Sequence, residues 1–162
     1  MTYAQRDIND VRLADAVVVG EIRKYEIVES VEARKRRAEM RARNPELWKD
    51  ISEDAGYLSD YARFEIAVTD VLKGEASGVV TVTWDNSTFG EPKTIATGTY
   101  LVALRRADSP RPPLRGPSAT ILAQPEPGLM TVLQAPCSGA FIFAAKPDTI
   151  QTIRDILLNG DN

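Results

Sequence analysis

The sequence contains no histidine, and Cys137 is the single cysteine among its 162 residues. Histidine is the commonest general base at neutral pH and the commonest transition-metal ligand, so a Ser-His-Asp triad, a Cys-His dyad and a His-ligated metal are excluded. One cysteine forms neither an internal disulfide nor a cysteine-rich zinc site. We therefore expect no catalytic constellation, no metal, no cofactor and no disulfide.

The chain also has few aromatic residues, no excess of positive charge and no long apolar run. Aromatics make up 7% of the chain and the net charge is −3, which disfavours nucleic-acid binding, because such proteins are usually basic and stack bases on aromatic rings. No apolar run approaches the roughly 20 residues that cross a bilayer as a helix. Residues 1–6 have no apolar signal core, although an export signal could have been removed ahead of Met1.

What is present is a series of short β-type segments rich in valine, isoleucine and threonine. Their alternation of apolar and polar residues predicts half-buried strands. Gly20 predicts a bulge or bend in the first strand, and the apolar parity shifts after Asp70, which indicates a second bulge. We predict strands at 16–22, 62–72, 79–84, 100–104 and 130–133, with 141–143 either a continuation or a sixth strand.

Helical signals lie at the two ends of the chain and in one insertion. Residues 7–14 predict a short helix, and a helix is predicted from Pro147 to a stop at Gly160. The insertion, residues 29–57, predicts one helix from Val31 to the Asn44–Pro45 pair and a second from Pro45 through Ile51. Residues 107–128 are rich in proline and glycine and predict a long loop, with 121–122 as its anchor.

This order predicts a mainly β (α+β) chain with all of residues 1–162 in one domain. The architecture we expect is a five-stranded, OB-fold-like antiparallel barrel with N- and C-terminal helices and a helical insertion after the first strand.

Four segments, at 14–20, 64–74, 98–102 and 137–139, together resemble the bacterial TIMP-like members of the netrin-module group. Their shared features are a first strand ending in Val-Gly, a second closing in Leu-Lys-Gly, a Gly-x-Tyr-Leu-Val strand and a late Cys-Ser. The resemblance implies an OB-fold barrel with two terminal helices side by side. It also favours a periplasmic or extracellular location.

Two departures from that family limit what is carried over. In many relatives the late cysteine looks paired with another ahead of the Gly-x-Tyr-Leu-Val strand, whereas residues 86–90 contain none. Inhibitory members block a metalloprotease with an N-terminal cysteine, and nothing at the start of this chain matches it. Protease inhibition by that mechanism is therefore not expected here.

The strongest charge feature is the basic run in the insertion. Interleaved glutamates predict intrahelical pairs such as Glu32–Arg36 and Glu39–Arg43, which favours a solvated helix face over a phosphate or acidic-partner site. If the run is an interaction surface, its residues are Arg34, Lys35, Arg36, Arg37 and Arg41.

A second basic group flanks the proline-rich loop, and OB-folds commonly bind through loops and one barrel face. We expect any ligand there to contact this loop and an exposed Trp84 or Tyr100. The basic residues concerned are Arg105, Arg106, Arg111 and Arg115.

Cys137 and Ser138 lie in a Pro-Cys-Ser-Gly turn. The lone thiol of Cys137 is interpreted as a buried or half-buried cysteine, because a reactive thiolate needs nearby positive charge or a helix N-terminus. Ser138 has no histidine to activate it, and a pairing with Lys146 lacks the usual Ser-x-x-Lys spacing. Residues 86–88 match a glycosylation sequon.

The leading hypothesis is a non-catalytic, extracytoplasmic protein-interaction or ligand-binding module whose partner is unknown. One alternative is an OB-fold that binds single-stranded nucleic acid. The other is an uncharacterised enzyme that uses carboxylates and Ser138. The oligomeric state is not readable from the sequence.

Overall fold

The computed structural model describes residues 4–50, 57–85, 91–114 and 123–159. A 3₁₀ helix opens this part of the chain and an α-helix closes it. The elements in chain order are a first 3₁₀ helix Ile8–Leu13, β1 Ala16–Val28, α1 Val31–Arg43, a second 3₁₀ helix Pro45–Trp48, β2 Tyr61–Lys73, β3 Val79–Asp85, β4 Thr99–Arg105, β5 Met130–Val132, β6 Ile142–Ala144 and α2 Pro147–Leu158.

Five strands close into a barrel in the order β1-β2-β3-β5-β4, and β4 pairs back to β1. The predicted mainly β, OB-fold-like barrel is confirmed, and 141–143 becomes a separate sixth strand, β6, paired to β4. The expectation of purely antiparallel pairing is wrong at one seam, because β3 and β5 run parallel. An odd number of strands cannot close into a ring with every neighbour antiparallel, so one parallel seam is required.

The first part of β1, residues 16–20, and most of β4 are buried on both faces, which explains the near-continuous apolar run at the start of β1. Val18 and Val102 point into the barrel beside Phe64. Their neighbours Val17 and Leu101 point outward into a second core, which is covered by helices. The outer core also contains residues from the first 3₁₀ helix, from the chain around β6 and from α2, namely Val11, Phe141 and Ile153.

The predicted irregularities in the first two strands are present. The β1–β2 register slips between Val19 and Gly20, and again between Val17 and Val18, so Thr69 and Leu72 are extra residues on β2. A Cβ on Gly20 would collide with the main-chain oxygen of Ala67. The bend thus depends on the absence of a side chain at this position.

The helices at the two ends lie against each other, since α2 packs on the first 3₁₀ helix. The predicted helix over 7–14 is this 3₁₀ turn, and Asp7 caps it by accepting a hydrogen bond from the N–H of Asn9. The predicted second insertion helix is also a 3₁₀ turn, Pro45–Trp48. Its expected end at Ile51, the loop anchor at 121–122, the sequon at 86–88 and the stop at Gly160 lie outside the described residues.

Candidate functional site

Helix α1 buries none of its residues. Its main packing neighbour is the short 3₁₀ helix that follows it, and not the barrel. A helix that is polar all round and 13 residues long is marginal in isolation, because helices in proteins draw most of their stability from packing an apolar face. Something other than a hydrophobic face must therefore hold α1 in place.

The carboxylate of Asp60 fastens the base of α1 to the barrel, and exposed Glu29 makes a second ion pair with Arg34 at 3.1 Å. The guanidinium of Arg34 donates to both oxygens of Asp60, at 2.7 and 3.0 Å, and the N–H of Ser30 donates to Oδ1 at 2.8 Å. Ser30 also caps the helix, since its Oγ accepts a bond from the N–H of Ala33. Asp60 is buried at the start of β2, so this anchor fixes where α1 leaves the barrel.

The pKa of Asp60 reflects two opposing effects. Burial pushes it upward, but the hydrogen bonds from Arg34 and Ser30, together with the Arg34 charge, outweigh burial and bring the pKa of Asp60 below its usual value. The hydrogen bond to Asp60, and the negative charges of Asp60 and Glu29, raise the pKa of Arg34. Both groups are therefore charged over the whole physiological range, and the anchor is an ion pair.

Beside the anchor, one face of α1 and Tyr57 form a groove of about 400 Å³. The guanidinium carbons of Arg34 and Arg37 lie 4.5 and 3.8 Å from the centre of the Tyr57 ring, within the range of cation–π attraction. Arg41 completes the row of cations. Ala38 and Ala42 line the groove between them. We call these six residues the cationic groove.

Helix α1 concentrates charge of one sign on an acidic protein. Residues 31–43 contain six basic and two acidic side chains, whereas the whole chain has a net charge of −3. The predicted pair Glu32–Arg36 is formed at 3.3 Å. The predicted pair Glu39–Arg43 is not formed. Both residues are described, and no guanidinium nitrogen of Arg43 lies within 4.0 Å of a carboxylate oxygen of Glu39.

Of the described members of the second basic group, Arg105 and Arg111 line one small cavity beside Asp85, whereas Arg106 lines a different one. Arg105 is 3% exposed and donates to the carbonyl oxygens of Arg106 and Ser109, so it holds the start of the loop and is not available to a partner. Burial and the nearby Arg111 charge lower the pKa of Arg105. The main-chain N–H of Arg106 donates to Asp15, and Arg115 lies outside the described residues.

Trp84 is a core residue, so its expected exposure is wrong. It is 6% exposed inside the barrel, and its indole N–H donates to Gln134 at 2.9 Å. The reason is its register on β3, where it shares the inner face with Val82. Tyr100 is half-buried, and its hydroxyl donates to the carbonyl of Ala96.

The Pro-Cys-Ser-Gly turn is enclosed. Cys137 is 4% exposed, as the sequence reading favoured, and it has a positive φ of 63°. Ser138 is fully buried, and its Oγ has no hydrogen-bond partner among the described residues. Lys146 is exposed and makes no bond to Ser138, so no base is placed on that hydroxyl.

Glu91 is a titratable group whose burial the sequence did not indicate. Burial, together with the negative charge of Asp60, raises the pKa of Glu91 to about 7, and its Oε2 is buried without a partner in the described chain. The folded protein therefore binds this proton more tightly than the unfolded chain does. Stability from this group is present at acid pH and is lost as the pH rises from about 4.5 to about 7.

We expect Glu91→Gln to stabilise the protein by about 1–2 kcal/mol at pH 8 and to change little at pH 5, because glutamine mimics the protonated acid. Urea unfolding at both pH values measures this difference. Exposed Glu75→Gln is the matched control and should be neutral at both. An unchanged stability of Glu91→Gln at pH 8 would contradict the buried, ionised carboxylate.

Fold and site together define a class: a small OB-fold-like barrel that carries a projecting, ion-pair-anchored cationic helix. No protein-family model matches the chain, and no curated protein matches its sequence. The described residues contain no helix long and apolar enough to cross a membrane. They also contain no group of three or more acidic or cysteine side chains placed to share a metal ion.

Proposed function

We propose that this protein is a non-catalytic interaction module that binds an acidic segment of a partner protein in the cationic groove. The observation that carries the proposal is that α1 buries no residue, yet a bidentate ion pair from Arg34 to buried Asp60 holds it at a fixed place on the barrel. Such an arrangement adds little to the core. It does present a row of guanidinium groups in a constant orientation.

The chemistry of the groove suits carboxylates. Guanidinium groups bind carboxylates through two parallel N–H donors, and those of Arg37 and Arg41 line the groove beside Arg34, whose own guanidinium is bound to Asp60. The alanines between them let a chain approach the helix closely. Arginine enrichment is also typical of protein interfaces, where such groups act as anchors.

Single-stranded nucleic acid fits this groove less well. Base stacking needs an open aromatic face among basic residues, and the Tyr57 ring already has Arg34 and Arg37 within cation–π distance. The negative net charge of the whole chain would also repel a long polyanion. The enclosed Ser138 likewise supports a binding role over the enzymatic alternative. Membership of the TIMP-like, netrin-module group, and with it an extracytoplasmic location, is a proposal supported by the four sequence segments.

The test compares two double variants that remove equal charge from opposite faces of α1. Arg37→Gln/Arg41→Gln changes the groove, whereas Arg36→Gln/Arg43→Gln changes the far side of the same helix. With a fluorescent ten-residue Asp/Glu peptide at low salt, we expect the groove variant to lose about tenfold in affinity and the far-side variant less than about threefold. Fluorescence anisotropy measures both.

Three results would contradict the proposal. Equal losses in the two double variants would mean that only net charge matters. If the unaltered protein did not bind the peptide at low salt, the proposal that the groove binds an acidic segment would be rejected. Tighter binding of an oligo(dT) strand than of the peptide, lost in the groove variant, would favour the nucleic-acid alternative instead.

A further inference from the structure

A second groove of about 400 Å³ lies where the end of β2, the first 3₁₀ helix and the last turns of α2 meet. Its floor is apolar and consists of Val71, Leu72, Leu157 and Leu158. Leu158 is 76% exposed and Val71 is 36% exposed, so the floor is open to solvent. The bulge at Leu72 contributes to the groove, because the extra residue breaks the regular pairing of β2 with β1 at this point.

The rim of this groove is cationic, with Arg12, Lys73 and Arg154 and no carboxylate among its lining residues. Arg154 is already paired with Asp70 at 2.6 Å. Arg12 and Lys73 are different, because each donates to a main-chain oxygen and not to a carboxylate. The Arg12 guanidinium donates to the carbonyl of Ile156 at 3.3 Å, and the Lys73 amine donates to the carbonyl of Arg12 at 2.7 Å.

Arg12 and Lys73 both line the groove, so two positive charges lie beside the apolar floor. Over the described ranges, no carboxylate lies within salt-bridge distance of Arg12 or Lys73. Each side chain keeps further N–H donors beyond the bond it makes, since an arginine has five and a lysine three. An anion that met them would gain charge-assisted hydrogen bonds without displacing an internal partner.

We propose that this groove binds a free medium-chain fatty acid, with its alkyl chain on the leucine and valine floor and its carboxylate at Arg12 and Lys73. An open apolar floor beside two cations that have no described carboxylate within salt-bridge distance fits an anionic amphiphile. The volume is at the lower end of the range of roughly 300–1,000 Å³ for small-molecule sites, which suits one short chain. This site shares no lining residue with the cationic groove and does not depend on the function proposed for it.

The direct measurement is titration of the protein with decanoate, below its micellar concentration, by calorimetry. We expect saturable binding, tighter for dodecanoate and weaker for octanoate by about twofold for each methylene, because the floor covers only one side of the chain. Decanol, which has the same chain without the charge, should bind at least about tenfold more weakly.

Two substitutions locate the site. Leu158→Ser removes exposed floor without opening the core, and we expect it to weaken decanoate binding by about tenfold. Leu47→Ser is its matched control, because Leu47 is also 76% exposed and lies on the second 3₁₀ helix, and it should leave binding unchanged. Lys73→Gln retains an N–H donor for the Arg12 carbonyl but removes the charge, so it should weaken decanoate and leave decanol unaffected.

Several outcomes would overturn this inference. They are no saturable decanoate binding below the micellar concentration, equal affinity for decanol, or equal losses in the Leu158 and Leu47 variants. Association with anionic phospholipid vesicles in the absence of any decanoate binding would also overturn it, since that result identifies a membrane surface and not a site for one free acid.

Discussion

Replacing Asp60 with alanine is expected to destabilise the protein by about 2–3 kcal/mol and to release α1 from the barrel. Loss of one partner of a buried ion pair costs roughly 3–5 kcal/mol, and we lower this figure because the Arg34 side chain is 31% exposed. The N–H of Ser30 also loses its acceptor. Urea unfolding measures the free energy. Limited trypsin digestion measures release of α1, because trypsin should cleave the peptide bonds after its six basic residues faster once the helix is released.

The matched control is Asp70→Ala. Its pair with Arg154 is as short, at 2.6 Å, but both side chains are nearly half exposed, so we expect a loss of about 0.5 kcal/mol or less and no faster cleavage in α1. Similar losses in the two variants would show that the burial of Asp60 does not matter. Unchanged proteolysis of α1 in Asp60→Ala would show that the helix is held by something else.

The acid stability of the native protein should report the same anchor. Because the pKa of Asp60 is lower in the folded state than its usual 3.8, the ion pair contributes fully above that value. The contribution is lost as the pH falls through the folded-state pKa. Asp60→Ala should therefore flatten the loss of stability as the pH falls below about 4. The loss as the pH rises from about 4.5 to about 7 should persist in weaker form, because burial still raises the pKa of Glu91 but the Asp60 charge no longer adds to it.

Replacing Gly20 with alanine is expected to cost about 3 kcal/mol, since the added methyl group would overlap main-chain atoms. A Cβ at this position would meet the carbonyl of Ala67 and lie 2.8 Å from Cγ2 of Ile66. A neighbouring strand cannot move away as a flexible side chain could, so the barrel must distort. Thermal or urea unfolding of Gly20→Ala measures the cost.

Gly128→Ala is the control for this substitution. A Cβ at Gly128 would meet nothing within 4 Å, so alanine should be neutral or stabilising by a few tenths of a kcal/mol through reduced freedom of the unfolded chain. If Gly20→Ala were as stable as the unaltered protein, the bend at this position would not require glycine, and the account of how β1 coils around the barrel would be wrong.

Much of the barrel was predictable from local patterns. Alternation placed β2, β3 and β4 to within a few residues, and the apolar run of β1 and its bulge near Gly20 were both recognised. The parallel seam was missed, although five strands in a closed ring require one. Which two strands run parallel depends on their order around the barrel, and no local pattern gives that order. Trp84 was expected to be exposed, although it shares the apolar face of β3 with Val82, and the apolar face of an alternating strand is the one that packs inward.

The sequence predicted the basic residues of the candidate site but not the contacts that hold them in place. The basic run of α1 stood out, and the intrahelical pair Glu32–Arg36 followed from spacing. Nothing in the sequence linked Arg34 to Asp60, which lies 26 residues further along, or placed Tyr57 against two arginines. Arg105 resembled its exposed neighbour Arg106 in sequence, yet the chain direction at the end of β4 buries the first and exposes the second.

The sequence by itself determined which chemistry is ruled out, which segments are strands and helices, and where positive charge is concentrated. Those properties depend on residue types and on spacing along a few turns of chain. Only the tertiary structure decided which carboxylate holds α1, which arginines reach solvent, and that an apolar floor and two cations meet at the end of β2. These depend on ring closure and on contacts between residues far apart in the chain, where burial and distance set the strength of each charge.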